Sequence, residues 1–380
     1  MLELKNIMTD SIERVDKKNE TYKLQIDFEY TQKSFKDSLK NASEKELSRL
    51  KLNEKNAQLE KEQTRNTALI FSLIVLFASV IFIIRAYRKK KELARTIAIQ
   101  KEEVEQKNKE ITDSINYASK IQNAILASKS YLDKVMDSYF MFYKPKDIVS
   151  GDFYWVYQTE SNKLIVAIVD CTGHGVPGAF MSMIGNSLLN KIIIENKVND
   201  AATILNKLRS GVIKALSQSD KDSQQRDGMD IALMVLDKSN NTIEFAGANN
   251  PLWIVTKNDN SAHISEHKKS ILTQDGLTLL ELKPNKFPIG KYVGEIKPFE
   301  SIVYQLAKGD CVYMATDGFA DQFGGDKNKK YKYKTLKKFI LSINQLPFNE
   351  HNNILSTEFE NWMGDNEQLD DVCNFGYKIT

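Results

Sequence analysis

The sequence predicts an α+β fold for residues 130–380: a sandwich of two antiparallel β-sheets flanked by helices. Nine short apolar or alternating runs, bounded by Gly, Asn, Asp or Pro, are typical of strands. They are YFMFY, DFYWVYQ, KLIVAIVD, DIALMVLD, TIEFAGA, PLWIVT, SIVYQL, DCVYMATD and VCNFGYKI. Helical stretches are grouped near 178–196, 200–217, 333–344 and 350–363. Because helices do not alternate with strands, paired antiparallel sheets are favoured over a doubly wound parallel sheet.

Composition places few limits on function. The 380 residues are 42% hydrophobic and 27% charged, which suffices for one large domain or two ordinary ones. A net charge of +3 gives no argument for a nucleic-acid surface, and we expect no nucleic-acid partner. The three cysteines lack metal-ligand spacing and cannot all pair with one another, which fits a reduced cytosolic compartment.

One segment has the character of a membrane span. Residues 66–84, NTALIFSLIVLFASVIFII, carry no charge over 19 residues. As a helix they rise about 28 Å, close to the ~30 Å of a hydrocarbon core. Apolar residues surround the helix axis, which argues against the alternative of a buried core helix with one apolar stripe. The segment lies too far from the start for a cleaved secretory signal.

Basic residues on the two sides of this span predict its orientation. Six lie just after it, against four in the comparable stretch before it. They are Arg85, Arg88, Lys89, Lys90, Lys91 and Arg95, against Lys51, Lys55, Lys61 and Arg65. Because cytoplasmic flanks carry the excess of Lys and Arg, the C-terminal side is predicted to be cytoplasmic. We therefore expect a single-pass membrane protein with its C-terminal domain in the cytoplasm.

The remaining segments before the folded domain are helical in character. Residues 1–65 contain no Pro or Gly and are predicted to form an extracytoplasmic stalk or the end of a repeat array. Residues 85–129 combine a basic juxtamembrane segment with a seven-residue pattern. Its apolar row is Ile97, Val104, Ile111, Ala118 and Ile125, beside the largely polar row Leu93, Gln100, Lys107, Ser114 and Ile121. This predicts a weak parallel coiled coil and a homodimer, with a solvated spacer helix as the alternative.

Four acidic residues at strand edges are the candidate chemical site. They are Asp152, Asp170, Asp317 and Asp370. Two carboxylates about 4 Å apart repel by about 4 kcal/mol at an effective dielectric of 20, so a site made of several requires cations. Oxygen ligands without a His or Cys cluster favour Mg²⁺ or Mn²⁺ over Zn²⁺. Each Asp taken alone has the simpler interpretation of a turn residue.

A family resemblance strengthens the metal interpretation. Seven motifs occur in the order seen in the metal-dependent protein phosphatases (PPM) and resemble the stage II sporulation E branch of bacterial serine phosphatases. They are SGDFYW, VDCTGHGVPGAFMSMIG, DGMDIAL, GANNPLWIV, FPIG, ATDGFADQ and DDVCNFGYKI. The resemblance covers about residues 138–380 and implies a β-sandwich between helix layers with metals at one end. The N-terminal third resembles, more loosely, the stalk, span and linker of receptor-type members.

The resemblance implies a ligand set for two divalent cations. Asp170 would bridge both, Asp152 and the backbone carbonyl of Cys171 would complete the second, and Asp317 with Asp370 would hold the first. Asp370 is preferred over Asp371 because the family's ligand is the first acid of that pair. Gly173, Gly175 and Gly178 would let the turn pass close to the metals before a helix that starts at about Pro177.

The resemblance also implies a reaction. Water bridging the two cations would attack phosphorus in line, without a covalent phosphoenzyme. The substrate would be phosphoserine or phosphothreonine in a regulatory protein, such as an anti-sigma-factor antagonist. His174 is a candidate general acid, with simple hydrogen bonding to backbone or substrate as the alternative. Asp230 is a candidate for a further weak cation site, with a turn cap as the alternative, and Lys144 and Lys146 are candidates to grip phosphate.

Two other function classes compete with this interpretation. A catalytically silent phosphatase-like module could bind a partner and relay a membrane signal, although all four expected acids are present. A membrane-anchored nucleotide cyclase is disfavoured, because the sequence lacks the Gly-Gly-acid-acid-Phe hairpin and a phosphate-cradling glycine loop.

Overall fold

The computed structural model describes residues 1–216, 227–257, 261–294 and 297–380. It divides into two compact units, residues 1–104 and 105–380. One helix, α1 (Leu2–Ile125), accounts for the first unit and continues into the second. Within the described residues, α1 is the single helix long and apolar enough to cross a membrane by length and composition. The apolar side chains of residues 66–84 are exposed, as membrane-facing side chains would be.

Six further α-helices and fourteen strands form the second unit over its described residues, together with a π-helix at Asn190–Glu195 and 3-10 helices at Ser261–His263, Glu266–Lys268 and Phe348–Glu350. The helices are α2 (Lys129–Val135), α3 (Gly175–Leu189), α4 (Ala201–Ala215), α5 (Gly318–Asp321), α6 (Tyr333–Ile343) and α7 (His351–Met363). The strands are β1 (Tyr139–Lys144), β2 (Phe153–Gln158), β3 (Lys163–Cys171), β4 (Gly228–Asp237), β5 (Thr242–Ala248), β6 (Leu252–Thr256), β7 (Lys269–Gln274), β8 (Leu277–Leu282), β9 (Ile289–Gly290), β10 (Ile302–Gln305), β11 (Cys311–Ala315), β12 (Phe323–Gly324), β13 (Lys329–Lys330) and β14 (Val372–Lys378).

Two antiparallel sheets contain most of these strands. The first sheet has the order β1-β14-β11-β6-β8-β7, and the second has β10-β5-β4-β3-β2, with β9 added beside β4. The short β12–β13 hairpin stands apart from both sheets. The predicted α+β sandwich is therefore confirmed.

Side chains that alternate between the two faces of each strand form two layers of the core. In β3 the residues of one parity face the space between the sheets and those of the other parity face the helices. The first set is Leu164, Val166 and Ile168, and the second is Ile165, Ala167 and Val169. All six are fully buried, as expected for a strand covered on both faces. Helices α3 and α4 cover the second sheet, and α6 and α7 cover the outer face of the first.

The β7–β8 hairpin is absent from the strands predicted from the sequence. Its turn is Asp275–Gly276, with φ of 53° and 76°. Asp-Gly between alternating hydrophobic residues is a strong hairpin signal, because both turn positions need φ above zero. The predicted helix over 200–217 ends at Ala215, and residue 217 lies outside the described residues. The three cysteines are free and buried.

Candidate metal centre and active site

Three acidic residues of the second sheet share the space between the two sheets. Asp170 follows the inward-facing Ile168 by two residues at the end of β3, and alternation gives it the same direction. Asp230 on β4 pairs in register with Asp170. It lies two residues before the inward-facing Ala232, so its side chain also points into the space between the sheets. Asp152 immediately precedes β2 and is only 2% exposed. The three carboxyl groups therefore meet at one end of the sandwich.

Two further acids reach this end from the first sheet. Asp317 lies between the end of β11 and the start of α5, and Asp370 lies two residues before β14. Because β11 and β14 are antiparallel neighbours, the end of one strand meets the start of the other. The structure thus brings together the carboxylates of Asp152, Asp170, Asp317 and Asp370, which the sequence spreads over more than two hundred residues.

Burial and mutual proximity raise the pKa values of three of these groups. Burial raises the pKa of Asp152 well above its ordinary value, and the negative charges of Asp371, Asp370 and Asp317 raise it further. Burial, followed by the charges of Asp152 and Asp317, does the same to Asp170. The pKa of Asp317 rises to about 6, through burial and then the charge of Asp370. Carboxyl groups in this position resist ionisation unless a cation compensates them.

The donors fit a hard divalent cation. The Oδ2 atom of Asp152 is buried and has no hydrogen-bond partner among the described residues. An unpaired buried carboxylate oxygen is costly, and a cation would satisfy it. Within the same residues, however, no three His, Cys, Asp or Glu side chains are already close enough together to enclose a metal ion. The ligand set therefore stays a prediction that rests on chemistry and proximity.

Small residues bring backbone oxygens to this end. A Cβ placed on Gly151 would lie 2.3 Å from the carbonyl oxygen of Gly173 and 3.3 Å from that of Cys171. A Cβ on Gly178 would lie 2.3 Å from the same Gly173 oxygen. The turn after β3 can therefore approach the segment before Asp152 only because both positions are glycine. This close approach leaves the Cys171 carbonyl, which the family resemblance implies as a metal ligand, beside Gly151.

Asp371 has a structural role that the sequence did not reveal. Its Oδ1 accepts a hydrogen bond from the Lys146 backbone N–H and its Oδ2 accepts one from the Gly151 N–H, both at 2.7 Å. The carboxylate thus holds the two ends of the loop that precedes Asp152. Its own N–H donates to Asp370 Oδ1 at 2.9 Å. This division of labour agrees with the choice of Asp370 as the candidate ligand.

His174 lies at the rim and is 46% exposed in its side chain. Its Nδ1 is 2.6 Å from Asp147 Oδ2, and its Nε2 is 3.0 Å from Lys146 Nζ. An ammonium group can only donate, so Nε2 accepts from Lys146 and Nδ1–H donates to the carboxylate. In this arrangement Nε2 carries no proton to transfer. Acid catalysis by His174 stays a prediction, and it would require the contact with Lys146 to open.

The other candidates have ordinary partners. Asp230 Oδ1 accepts a hydrogen bond from Asn249 Nδ2 at 2.8 Å. Lys144 Nζ forms an ion pair with Glu360 Oε1 at 3.0 Å. Lys146 lies nearer to the acids, because its backbone is held by Asp371 and its ammonium group by His174.

The comparison with known families settles the class of this domain. A model of the stage II sporulation protein E (SpoIIE) family matches residues 160–379, which is more than half of the chain. The chain belongs to this family. Among solved structures, the SpoIIE-family chain is similar to the SiaA-PP2C domain of Pseudomonas aeruginosa, with 27% identity over 72% of this chain and 98% of that chain and a TM-score of 0.61.

Two further structures share more distant similarity. The PP2C phosphatase domain with a regulatory fragment of SpoIIE from Bacillus subtilis is 20% identical over 64% of this chain and 63% of that chain, with a TM-score of 0.46. The RsbU and RsbW domains of Rv1364c from Mycobacterium tuberculosis are 16% identical over 63% and 60%, with a TM-score of 0.45. No curated protein matches the sequence. Family and fold place the chain among the PP2C-type serine/threonine phosphatases, which are hydrolases.

The raised pKa of Asp317 makes the stability of the metal-free SpoIIE-family domain depend on pH. Its folded-state pKa of about 6 exceeds the ordinary pKa of 3.8, so the carboxyl group loses its proton first in the unfolded state as pH rises. Stability relative to Asp317→Asn should therefore fall between about pH 4 and pH 6 and then level off. The measurement is thermal unfolding in EDTA across this range. A difference between the two proteins that stays constant with pH would contradict it.

Gln122 joins α1 to the loop that carries Asp152. The side chain is 4% exposed. Its Nε2 donates to Ser150 O at 2.6 Å and to Ser182 Oγ of α3 at 2.8 Å, and its Oε1 accepts from the Ser150 N–H at 3.0 Å. Gln122→Ala would leave these buried groups unpaired, so we expect a loss of about 2–3 kcal/mol in the free energy of unfolding.

Denaturant unfolding of the full chain measures this loss. Gln106→Ala, at an exposed position of the same helix outside both rows of the seven-residue pattern, is the matched control and should change stability by less than about 0.5 kcal/mol. Equal stabilities of the two variants would show that the Gln122 contacts do not hold α1 in place.

Proposed function

We propose that this protein is a membrane-anchored, metal-dependent phosphatase that hydrolyses phosphoserine or phosphothreonine on a regulatory protein. The observation that carries the proposal is the convergence of Asp152, Asp170, Asp317 and Asp370 at one end of the sandwich, where burial and then neighbouring charges raise the pKa values of the first three. Asp230 and Asp371 lie at the same end, and Asp371 has a clear structural role because it binds two backbone N–H groups.

Each residue has a defined part in the proposed chemistry. Asp170 would contact two cations, Asp152 and the Cys171 carbonyl would hold one of them, and Asp317 with Asp370 would hold the other. Two divalent cations, Mn²⁺ or Mg²⁺, supply positive charge for the phosphoryl oxygens and lower the pKa of water when they are bound. The rigid ends of β3, β11 and β14 keep the carboxylates in place, so little reorganisation is needed when the substrate arrives. Lys146, at the rim, would attract the phosphate dianion.

Membrane attachment and dimerisation are parts of the same proposal. The uncharged 66–84 segment of α1 would span the bacterial inner membrane once, with residues 1–65 outside and residues 130–380 in the cytoplasm. The linker over 85–129 would pair with a second copy through Ile97, Val104 and Ile111, which are all more than half exposed. A regulatory phosphoprotein such as an anti-sigma-factor antagonist is the substrate class that the family resemblance supports.

Turnover of p-nitrophenyl phosphate by the full chain in detergent tests the proposed chemistry. We expect turnover with Mn²⁺, none with EDTA, and a loss in Asp317→Asn. Turnover that persists after chelation would reject the metal mechanism. If neither p-nitrophenyl phosphate nor any phosphoprotein is hydrolysed, the chain would instead act as a catalytically silent relay module.

A further inference from the structure

The free edge of the first sheet lies beside a large groove. Strand β1 is the last strand of that sheet and pairs only with β14 among the described strands. A groove of about 1140 Å³ follows it and is lined by every residue from 138 to 144. Helix α2 borders the groove on one side, and the start of α7, with Asn349, Asn352 and Asn353, borders it on the other.

The register shows which backbone groups of β1 face this groove. The Lys378 N–H donates to Ser138 O at 2.9 Å, so Ser138 directs its backbone groups toward β14. Because the direction alternates along an antiparallel strand, Phe140 and Phe142 also bond to β14. The N–H and C=O groups of Tyr139, Met141 and Tyr143 therefore point to the free edge. They are available to pair with another extended segment.

The edge strand of the second sheet is covered and cannot pair with an added strand in the same way. Strand β2 ends the second sheet, and α2 covers it there: the Gln158 N–H donates to the Tyr131 hydroxyl at 3.1 Å. The β1 sequence, YFMFYK, carries no charge before Lys144. Native sheets usually blunt or cover such an apolar edge.

One end of the groove reaches the candidate active site. The Tyr143 hydroxyl donates to Asp152 O at 3.2 Å, and Lys144 pairs with Val372, just after Asp370 and Asp371. Charge changes along the groove. Lys146 lies beyond the active-site end, and the far end is lined by the paired Lys129 and Asp133 and by the exposed Asp137, which together carry a net charge of −1. A segment that begins with a phosphate dianion and carries a basic residue further along complements this order.

We propose that the groove binds the segment of the phosphoprotein substrate that follows its phosphoserine, as an added strand antiparallel to β1. Because β1 runs toward the active site, an antiparallel partner runs away from it, which places the segment C-terminal to the phosphoserine. The six residues of β1 span about 20 Å, so about six substrate residues pair with it, and a basic residue just beyond them faces Asp137. This inference rests on the proposed function.

Peptide binding to the full chain in detergent tests the proposal. The probe is a fluorescein-labelled peptide with a phosphonate analogue of phosphoserine, six alternating Ala and Thr residues and a final Lys. Its control carries the same seven residues on the other side, before the phosphonate instead of after it. Anisotropy should show at least tenfold tighter binding of the first peptide. In an added strand, every second backbone N–H of the peptide bonds to β1. N-methylation of these residues should remove the tenfold difference in affinity, whereas N-methylation of the residues between them should preserve it. Equal affinity of the two peptides, or equal loss at all positions, would overturn the proposal.

A protein variant gives an independent readout. Met141→Pro removes an N–H that faces the groove and should abolish the difference between the peptides, whereas Met141→Leu should keep it. Both variants should hydrolyse p-nitrophenyl phosphate like the parent protein, because a small substrate does not occupy the groove. If Met141→Pro fails to fold, the N-methylated peptides still test whether the substrate segment pairs with β1. A change in molecular mass on Met141→Pro would show that a second copy occupies the edge, which overturns the proposal.

The two proposals fail in different ways. Absent hydrolysis of p-nitrophenyl phosphate by the parent protein would remove the proposed phosphatase function. Binding of the phosphonate peptides needs no turnover, so it tests peptide binding in the groove whether or not the protein is an active phosphatase.

Discussion

Asp170→Asn should remove hydrolysis of p-nitrophenyl phosphate almost completely, by about a thousandfold or more in kcat. Its carboxylate is the proposed bridge between two cations, and such cations contribute several kcal/mol to stabilising transition-state charge, where 4 kcal/mol corresponds to about a thousandfold. The same change should stabilise the metal-free protein. Burial and the charges of Asp152 and Asp317 hold the pKa of Asp170 high, so the ionised group opposes folding at neutral pH.

Two measurements check this double effect. Thermal unfolding in EDTA should show a higher Tm for Asp170→Asn than for the parent protein, and added Mn²⁺ should raise the Tm of the parent alone. Asp275→Asn is the matched control, because Asn-Gly fits the β7–β8 turn as well as Asp-Gly does. Activity of Asp170→Asn above a tenth of the parent value would contradict the proposed role.

Asp371→Ala and Asp370→Asn should separate a structural acid from a metal ligand. Asp371→Ala leaves the N–H groups of Lys146 and Gly151 without their acceptor, so we expect a loss of about 2–4 kcal/mol. For a domain of this size the Tm should fall by roughly 5–10 °C. Asp370→Asn should leave the Tm of the metal-free protein unchanged or slightly higher, because it removes a charge that raises the pKa of Asp317.

The activities of the two variants complete the comparison. Asp370→Asn should lose activity while it remains folded, and high Mn²⁺ should restore part of it. Asp371→Ala should lose activity along with stability, and Mn²⁺ should not restore it. The reverse pattern would exchange the two assignments and make Asp371 the ligand.

Much of the fold could be predicted from local pattern. The nine apolar runs correspond to strands because each combines β-favouring residues with flanking turn residues, and the predicted helices near 333–344 and 350–363 match α6 and α7. The missed β7–β8 hairpin carried its own signal in Asp275–Gly276. The short strands β9, β12 and β13, of two residues each, have no readable period and exist only through their partners.

Part of the candidate site could likewise be predicted from the sequence, and part of it could not. The acidic residue types and their positions at strand ends were readable from the sequence, because a carboxylate after a buried strand stands out chemically. The division of roles between Asp370 and Asp371 shows only in three dimensions, since it depends on which backbone N–H groups approach each carboxylate. The contact of His174 with Lys146 and Asp147 likewise joins side chains about 27 residues apart along the chain.

The sequence by itself determined the uncharged 19-residue segment, the strand and helix types, and the four candidate acids. These depend on local hydrophobicity, residue preference and charge, which neighbours in sequence express. Only the tertiary structure decided that carboxylates from both sheets meet at one end, that Asp371 binds the loop before Asp152, and that β1 leaves a free edge beside a groove. Those features depend on strand order and register, which arise from contacts between residues far apart in the chain.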